Sequence, residues 1–405
     1  MNTTESNTTS IRKLGVFLGA MTLTEISRTM TTVQIPIYLR EMGAEIGEIG
    51  LFFTISLIFP LFLRILGGWL SDTIGRVRAL AIGSASGAVA YMIYALAPAW
   101  KAAIPAPAFL ALAAALIYPS YKAYVADLAN ESNRGRYFGI TDALIRVAWI
   151  LGPPLGGFIG QNLGYRTMFI SALCCFTAAT LLFLVLAVNS SSTPPGSSLG
   201  WVSLKTSFLE MGGLILAGGL VTWILIVDGI RDIAFKLSFD LMPVYLSDIA
   251  GISKTDIGIL DGLFGLALVL STFTAGFIVD RVSERFGIVL GLIAMILSRL
   301  VFAFAGVFSG FALSWILLGM GGGLLDPAGS SLIARGVPRR LRGIAYGLVA
   351  TSLGIFSLPA PWIGSQIWQH VDPRAPFLFT VLLGLLTIIP AWKKLAIKNC
   401  AAAPE

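Results

Sequence analysis

The chain repeats itself with a spacing of 208 residues. Pro119 answers to Pro327, Gly135 to Gly343, Gly139 to Gly347, Pro153 to Pro361 and Gly156 to Gly364. Arg166 answers to Arg374, Phe169 to Phe377 and Asp72 to Asp280. Near the start the offset is 207: Pro36-Ile37-Tyr38-Leu39 matches Pro243-Val244-Tyr245-Leu246. A register held over almost the whole length means two similar halves, each of which must find its own packing.

Each half is built of long apolar runs. Runs of the ~20 residues that span a bilayer recur twelve times, near 13–40, 46–70, 76–98, 104–127, 137–161, 165–188, 212–246, 255–279, 286–307, 310–334, 343–368 and 375–395. Apolar residues make up 56% of the chain and charged ones 12%, against about 25% charged in soluble domains. The expected class is an all-α membrane protein of twelve helices in two pseudo-symmetric six-helix bundles. The Ser/Pro-rich stretch after Asn189 marks a linker. The expected division is an N-terminal bundle 1–188, a cytosolic linker 189–211 and a C-terminal bundle 212–405. The first ten residues are polar and do not read as a cleaved signal.

The composition also excludes some chemistries. Three cysteines argue against a disulfide scaffold. The one histidine, His370, falls at an expected loop, so neither a metal cluster nor a histidine proton relay is expected. No G-x-x-x-x-G-K-[ST] loop is present to bind ATP. No enzyme activity, cofactor or metal is expected, and transport would draw on gradients.

Basic residues set the orientation. Arg12, Lys13, Arg76, Arg78, Arg134, Arg136, Lys205, Arg281, Arg285, Arg335, Arg339, Arg340, Arg342, Lys393, Lys394 and Lys398 fall on one side. Only Arg40, Lys101, Arg166, Lys254 and Arg374 fall on the other. Both termini are expected in the cytosol, with the chain in the plasma (inner) membrane. This asymmetry accounts for the +7 charge without nucleic acid.

Charges within the spans carry the functional reading. They are Arg28, Arg64, Lys122, Arg146, Arg231, Lys236 and Arg299 against Glu25, Asp142, Asp228, Asp232, Asp261 and Asp326. Each costs about 3 kcal/mol if it faces lipid, so most must face one another or a wet cavity. Glu25/Arg28 (i,i+3), Asp142/Arg146 and Asp232/Lys236 (both i,i+4) share helix faces. Asp228, Arg231 and Asp232 form one charged face on span 7. Glu25 and Asp232 are equivalents at the offset of 207. With no histidine in a span, Glu25, Asp228 and Asp232 are the expected proton carriers, and Arg28 and Arg231 their competitors. The same pairs would also serve simply to fasten the bundle.

Between spans 2 and 3, Gly68-Trp69-Leu70-Ser71-Asp72-Thr73-Ile74-Gly75-Arg76-Val77-Arg78 resembles the G-x-x-x-D-x-x-G-R-x-[RK] loop of the major facilitator superfamily. The second copy, Gly276 to Arg281 with Asp280, reads as degraded, because Ser283 and Glu284 stand where Gly75 and Arg76 stand in the first. The resemblance implies that spans 1, 4, 7 and 10 line a central cavity and 2, 5, 8 and 11 flank it. Only Arg299 then falls on a lipid-side span. It also implies that Asp72 sits by the start of span 11, and that Arg76 pairs with Asp127 to latch the cytosolic side. A loop that only anchors the turn remains the alternative.

Span 5 carries Gly139, Ala148 and Gly152-Pro153-Pro154-Leu155-Gly156-Gly157. This resembles the antiporter signature G-x8-G-x3-G-P-x-x-G-G of drug/proton exporters, with Ala148 in place of one glycine. A packing motif without direction is the alternative. Span 4 lacks the arginine of that branch; Lys122 lies lower in the same span.

The leading expectation is a monomeric secondary transporter exchanging protons for an amphipathic or drug-like solute. The runner-up is uptake of a polar organic anion, suggested by Arg28, Arg64, Lys122 and Arg146. The partners expected are a small-molecule substrate, protons and the lipid bilayer, with no nucleic acid.

Overall fold

The computed structural model describes residues 3–129, 131, 133–188, 219–337, 342, 345–346 and 354–396, the side chains of 3–11 and 64–72 excepted. The linker expected at 189–211 lies outside them, as do Gly343 and Gly347. So do the side chains of Arg64 and Asp72, and all detail at Gly68.

Among the described residues every expected span carries a helix. In chain order they are α1 (Thr3–Thr32), α2 (Ile35–Glu41), α3 (Ile46–Ile74), α4 (Arg76–Leu96), α5 (Ala106–Leu128), α6 (Arg134–Asn162) and α7 (Tyr165–Val188). Then follow α8 (Leu220–Ser238), α9 (Met242–Asp248), α10 (Lys254–Arg281), α11 (Glu284–Phe304), α12 (Phe308–Gly336), α13 (Ala360–His370) and α14 (Ala375–Lys394). Among the described residues, nine stretches are long and apolar enough to cross a membrane. Spans 1, 7 and 11 are not among them. Span 1 breaks into α1 and α2, where Pro36 enters the second helix and cannot continue the first helix's hydrogen bonding. Span 7, expected as one helix, breaks at a short turn, Phe239–Leu241, before Pro243. Span 11 falls partly outside the described residues. Large apolar side chains such as Leu181, Phe273 and Leu386 stand more than half exposed, as lipid-facing residues do.

Proximity divides the chain into two compact units: Met1–Leu199 with Pro243–Gly262, and Gly200–Met242 with Leu263–Glu405. In the first, α4 packs on α5 and α7, and α1 on α6 and α7. In the second, α11 packs on α12 and α14, and α8 on α13 and α14. These are the same neighbours, one repeat apart. Single contacts repeat as well. A Cβ on Gly156 would run into the Met30 carbonyl, and one on Gly364 into the Leu237 carbonyl. Tyr94 stacks on Phe169 with ring centroids 5.0 Å apart, and their equivalents Phe302 and Phe377 meet edge to face at 4.4 Å. The glycines let two backbones touch, and the aromatic pairs fill the space beside them.

Candidate translocation site

Glu25 is the centre of the first unit's polar chemistry. It is 3% exposed on α1. Arg28, one turn on, donates to Glu25 Oε2 from Nη2 (2.8 Å) and Nε (3.2 Å). Tyr118 Oη of α5 donates to Oε1 at 3.2 Å, and Trp149 Nε1 of α6 to Oε2 at 3.3 Å. The Arg28 guanidinium lies over the Trp149 ring at 5.7 Å. Three helices thus converge on one carboxylate. A cavity of ≈ 200 Å³ opens beside it, lined by Thr24, Glu25, Arg28, Leu110, Tyr118 and Phe176 among others. Its wall is apolar and aromatic with one ion pair, a surface suited to an amphipathic solute. The i,i+3 spacing exposed the Glu25–Arg28 pair in the sequence. Nothing in spacing alone joined Tyr118 and Trp149 to it.

The second unit holds its charges differently. Asp228 pairs with Arg231 at 3.3 Å, and Asp232 with Lys236 at 3.4 Å. Ser357 Oγ donates to Asp232 Oδ2 at 2.5 Å. Asp228, Arg231 and Asp326 line a cavity of ≈ 150 Å³ with Ser330 and Tyr346. The charged face expected on span 7 therefore divides: Asp228 and Arg231 turn to the cavity, and Asp232 turns to the serine of span 11.

One expected pair is corrected. Asp142 is exposed on α6, makes no ion pair with Arg146 and lies near the Tyr121 hydroxyl of α5. An exposed carboxylate gains little from an ion pair. Arg146 is half-buried on α6, Lys122 is exposed on α5, and Asp261 is half-buried on α10.

Gly75 turns the chain between α3 and α4 with φ +91°, a conformation an L side chain rarely adopts. Arg76, just after it, pairs with Asp127 and donates to the Ala123 carbonyl at 2.9 Å. The second copy lacks the loop's glycine and arginine, as read from sequence, yet an ion pair stands in the same place. Glu284, in the place of Arg76, pairs at 3.0 Å with Arg335, in the place of Asp127. The ion pair survives with its charges exchanged. Arg335 also meets Asp280 at 3.0 Å. Ser283 replaces Gly75 because the backbone there is extended, and its hydroxyl caps α11 by accepting from the Phe286 amide.

The glycines of span 5 make close approaches. Gly152 lies against Thr29 and Gly156 against the Met30 carbonyl. Gly258 of α10 lies against the Pro153 carbonyl, and Gly157 against that of Lys254. A polar cluster not foreseen from the sequence lies near them in the same unit. Arg40 pairs with Asp248 (2.7 Å), Lys254 pairs with Glu41 (2.6 Å), and Gln34 Nε2 donates to the Lys254 carbonyl (3.1 Å).

The Major Facilitator Superfamily profile matches residues 17–239 and 224–398. The quinolone resistance protein NorA of Staphylococcus aureus is 21% identical over 360 residues, covering 88% of this chain and 89% of that protein. The multidrug resistance protein MdtG of Klebsiella pneumoniae is 23% identical over 381 residues, covering 91% and 89%. Among solved structures, a bacterial homologue of the iron transporter ferroportin, inward-facing, superposes with TM-score 0.77 at 15% identity, covering 95% of this chain and 99% of that one. A POT family transporter bound to 5-aminolevulinic acid gives 0.72 at 14%, covering 94% of each. Those structures share the fold.

Proposed function

Because the chain belongs to the Major Facilitator Superfamily, and is thus a membrane transporter of small molecules rather than an enzyme, we propose that it exports an amphipathic, drug-like compound in exchange for protons. The observation that carries this reading is Glu25, a buried carboxylate gripped by Arg28, Tyr118 and Trp149 beside a largely apolar cavity. A proton on Glu25 releases Arg28 and the two neutral donors. Loss of that proton restores the four hydrogen bonds and closes the grip. A cationic or aromatic solute competes for the same carboxylate and ring, so substrate and proton exclude each other there, as exchange requires. The similarity to two named resistance proteins supports export over uptake. By this reading the protein works as a monomer by alternating access in the plasma (inner) membrane, with both termini cytosolic.

The test is transport of a fluorescent amphipathic cation by purified protein in liposomes, with and without a pH gradient. Gradient-driven movement that Glu25→Gln abolishes, with solute exchange kept at equal pH, supports the proposal. Exchange of small organic acids with no response to lipophilic cations would replace it with uptake of an anion.

A further inference from the structure

The repeat exposes a second, differently charged cavity. The cavity beside Glu25 has an equivalent in the second unit, lined by Arg231, Phe235, Leu318 and Gly384, which stand where Thr24, Arg28, Leu110 and Phe176 stand in the first. The floor differs most. In the first unit Tyr91 is fully buried, its hydroxyl 3.0 Å from Thr31 Oγ1, and the Phe176 ring packs 5.3 Å from it. One repeat on, Arg299 replaces Tyr91, Ser238 replaces Thr31 and Gly384 replaces Phe176. An aromatic plug has become a guanidinium beside an opening.

Arg299 is 1% exposed. Its Nε donates to Ser238 Oγ at 3.1 Å and its Nη1 to Ser298 Oγ at 3.5 Å. The guanidinium lies over Phe235 at 5.6 Å. Its Nη2 has no partner among the described residues. Among the described residues no carboxylate lines the cavity, and the other charged lining residue is Arg231, also cationic. Asp228, the partner of Arg231, lines the neighbouring cavity instead. A buried charge with a free donor and no counter-charge is costly, and a bound anion offsets it. Thr380 Oγ1 donates to the Ala234 carbonyl at 2.8 Å and lies 3.0 Å from Ser238 Oγ, so these hydroxyls hold the arginine in place. The space open to water centres is ≈ 30 Å³. A single water needs about 10–15 Å³ on that measure, so the cavity admits a chloride-sized ion or one carboxylate group and nothing much larger.

We propose that this cavity, between α8, α11, α12 and α14, binds a small monovalent anion through Arg299 Nη2, with Arg231 adding attraction. It is a site apart from the one at Glu25, and it stands whether or not the transported solute is a drug.

The test is thermal unfolding of the purified protein in the sodium salt of HEPES, with chloride, bromide, formate or acetate exchanged in at constant ionic strength. HEPES offers no carboxylate, and its sulfonate is too bulky for the cavity. The expected result is a saturable rise in melting temperature, roughly 2–4 °C at about tenfold the dissociation constant. Arg299→Met, and Arg299→Tyr, which places the first unit's residue there, should melt cooperatively without responding to the anion. A response to halides alone assigns a halide; a response to formate or acetate alone assigns the carboxylate end of an organic acid. If both variants fail to fold, crystals grown in bromide decide. An anomalous peak at hydrogen-bond distance from Arg299 Nη2 supports the site. Absence of that peak where bromide raises the melting temperature, no rise in the wild type with any of the four anions, or an equal rise in the variants overturns it.

Discussion

Glu25 and Asp232 hold equivalent places in the two repeat copies, but their surroundings give them different work. Glu25 accepts from Arg28 twice, from Tyr118 and from Trp149, and is almost fully buried. Asp232 rests on a serine hydroxyl and a lysine 3.4 Å away. The first carboxylate is a hub that ties three helices together, so its protonation loosens several contacts at once. The second is a link between span 7 and span 11. Duplication preserved the position of an acid while the donors around it diverged, so equivalence in the repeat fixes location and not role.

The largest expected effect breaks this contrast at the hub. Glu25→Gln should reduce gradient-driven transport to near background, whereas Asp232→Asn should keep a measurable fraction; initial rates in liposomes compare them. Equal loss in both variants would make the two acids interchangeable. Next come the glycines that press on backbone. Gly156→Leu and Gly364→Leu each force a side chain against a carbonyl of the facing helix. Overpacking of this kind costs about 1–3 kcal/mol, and both should lower the melting temperature by a similar amount. Unequal losses would mean the two contacts bear different loads.

A smaller effect is expected at Tyr118→Phe and Trp149→Phe. Each removes one neutral donor from Glu25, worth roughly 1 kcal/mol. Initial rates of gradient-driven transport should fall about fivefold in each and stay unchanged in Ser298→Ala, which belongs to the second unit.

The smallest expected effects lie at the exchanged ion pairs. Arg76–Asp127 and Glu284–Arg335 are the same ion pair with opposite polarity. Partly exposed pairs contribute at most about 1 kcal/mol. Arg76→Glu and Glu284→Arg should each slow transport by severalfold, and each should be rescued by exchanging its partner as well, Asp127→Arg or Arg335→Glu. Rescue in only one copy would show that the polarity, and not the pair, is what that copy uses.

The repeat, the helical spans and the i,i+3 pair at Glu25 were legible in the sequence because they follow from local periodicity and from residues such as Gly156 and Pro153, which keep their register. What was hidden depended on contacts between distant segments. Tyr118 and Trp149 reach Glu25 from other helices. The exposed Asp142 makes no ion pair with its expected partner Arg146. The exchanged pair of Glu284 and Arg335 looked like decay, because the loop shows one member and the other lies 51 residues on, in α12. Arg299, an exception on a span read as facing lipid, turns inward to Ser238 and Phe235 of α8.

The most direct measurement of the central claim is proton movement itself. Purified protein in liposomes holding a pH-sensitive dye is given an amphipathic cation on one side with no imposed gradient. The account predicts a solute-dependent proton flux in the opposite direction, present in the wild type and absent in Glu25→Gln. Solute movement without proton flux, or an undiminished flux in Glu25→Gln, would contradict it.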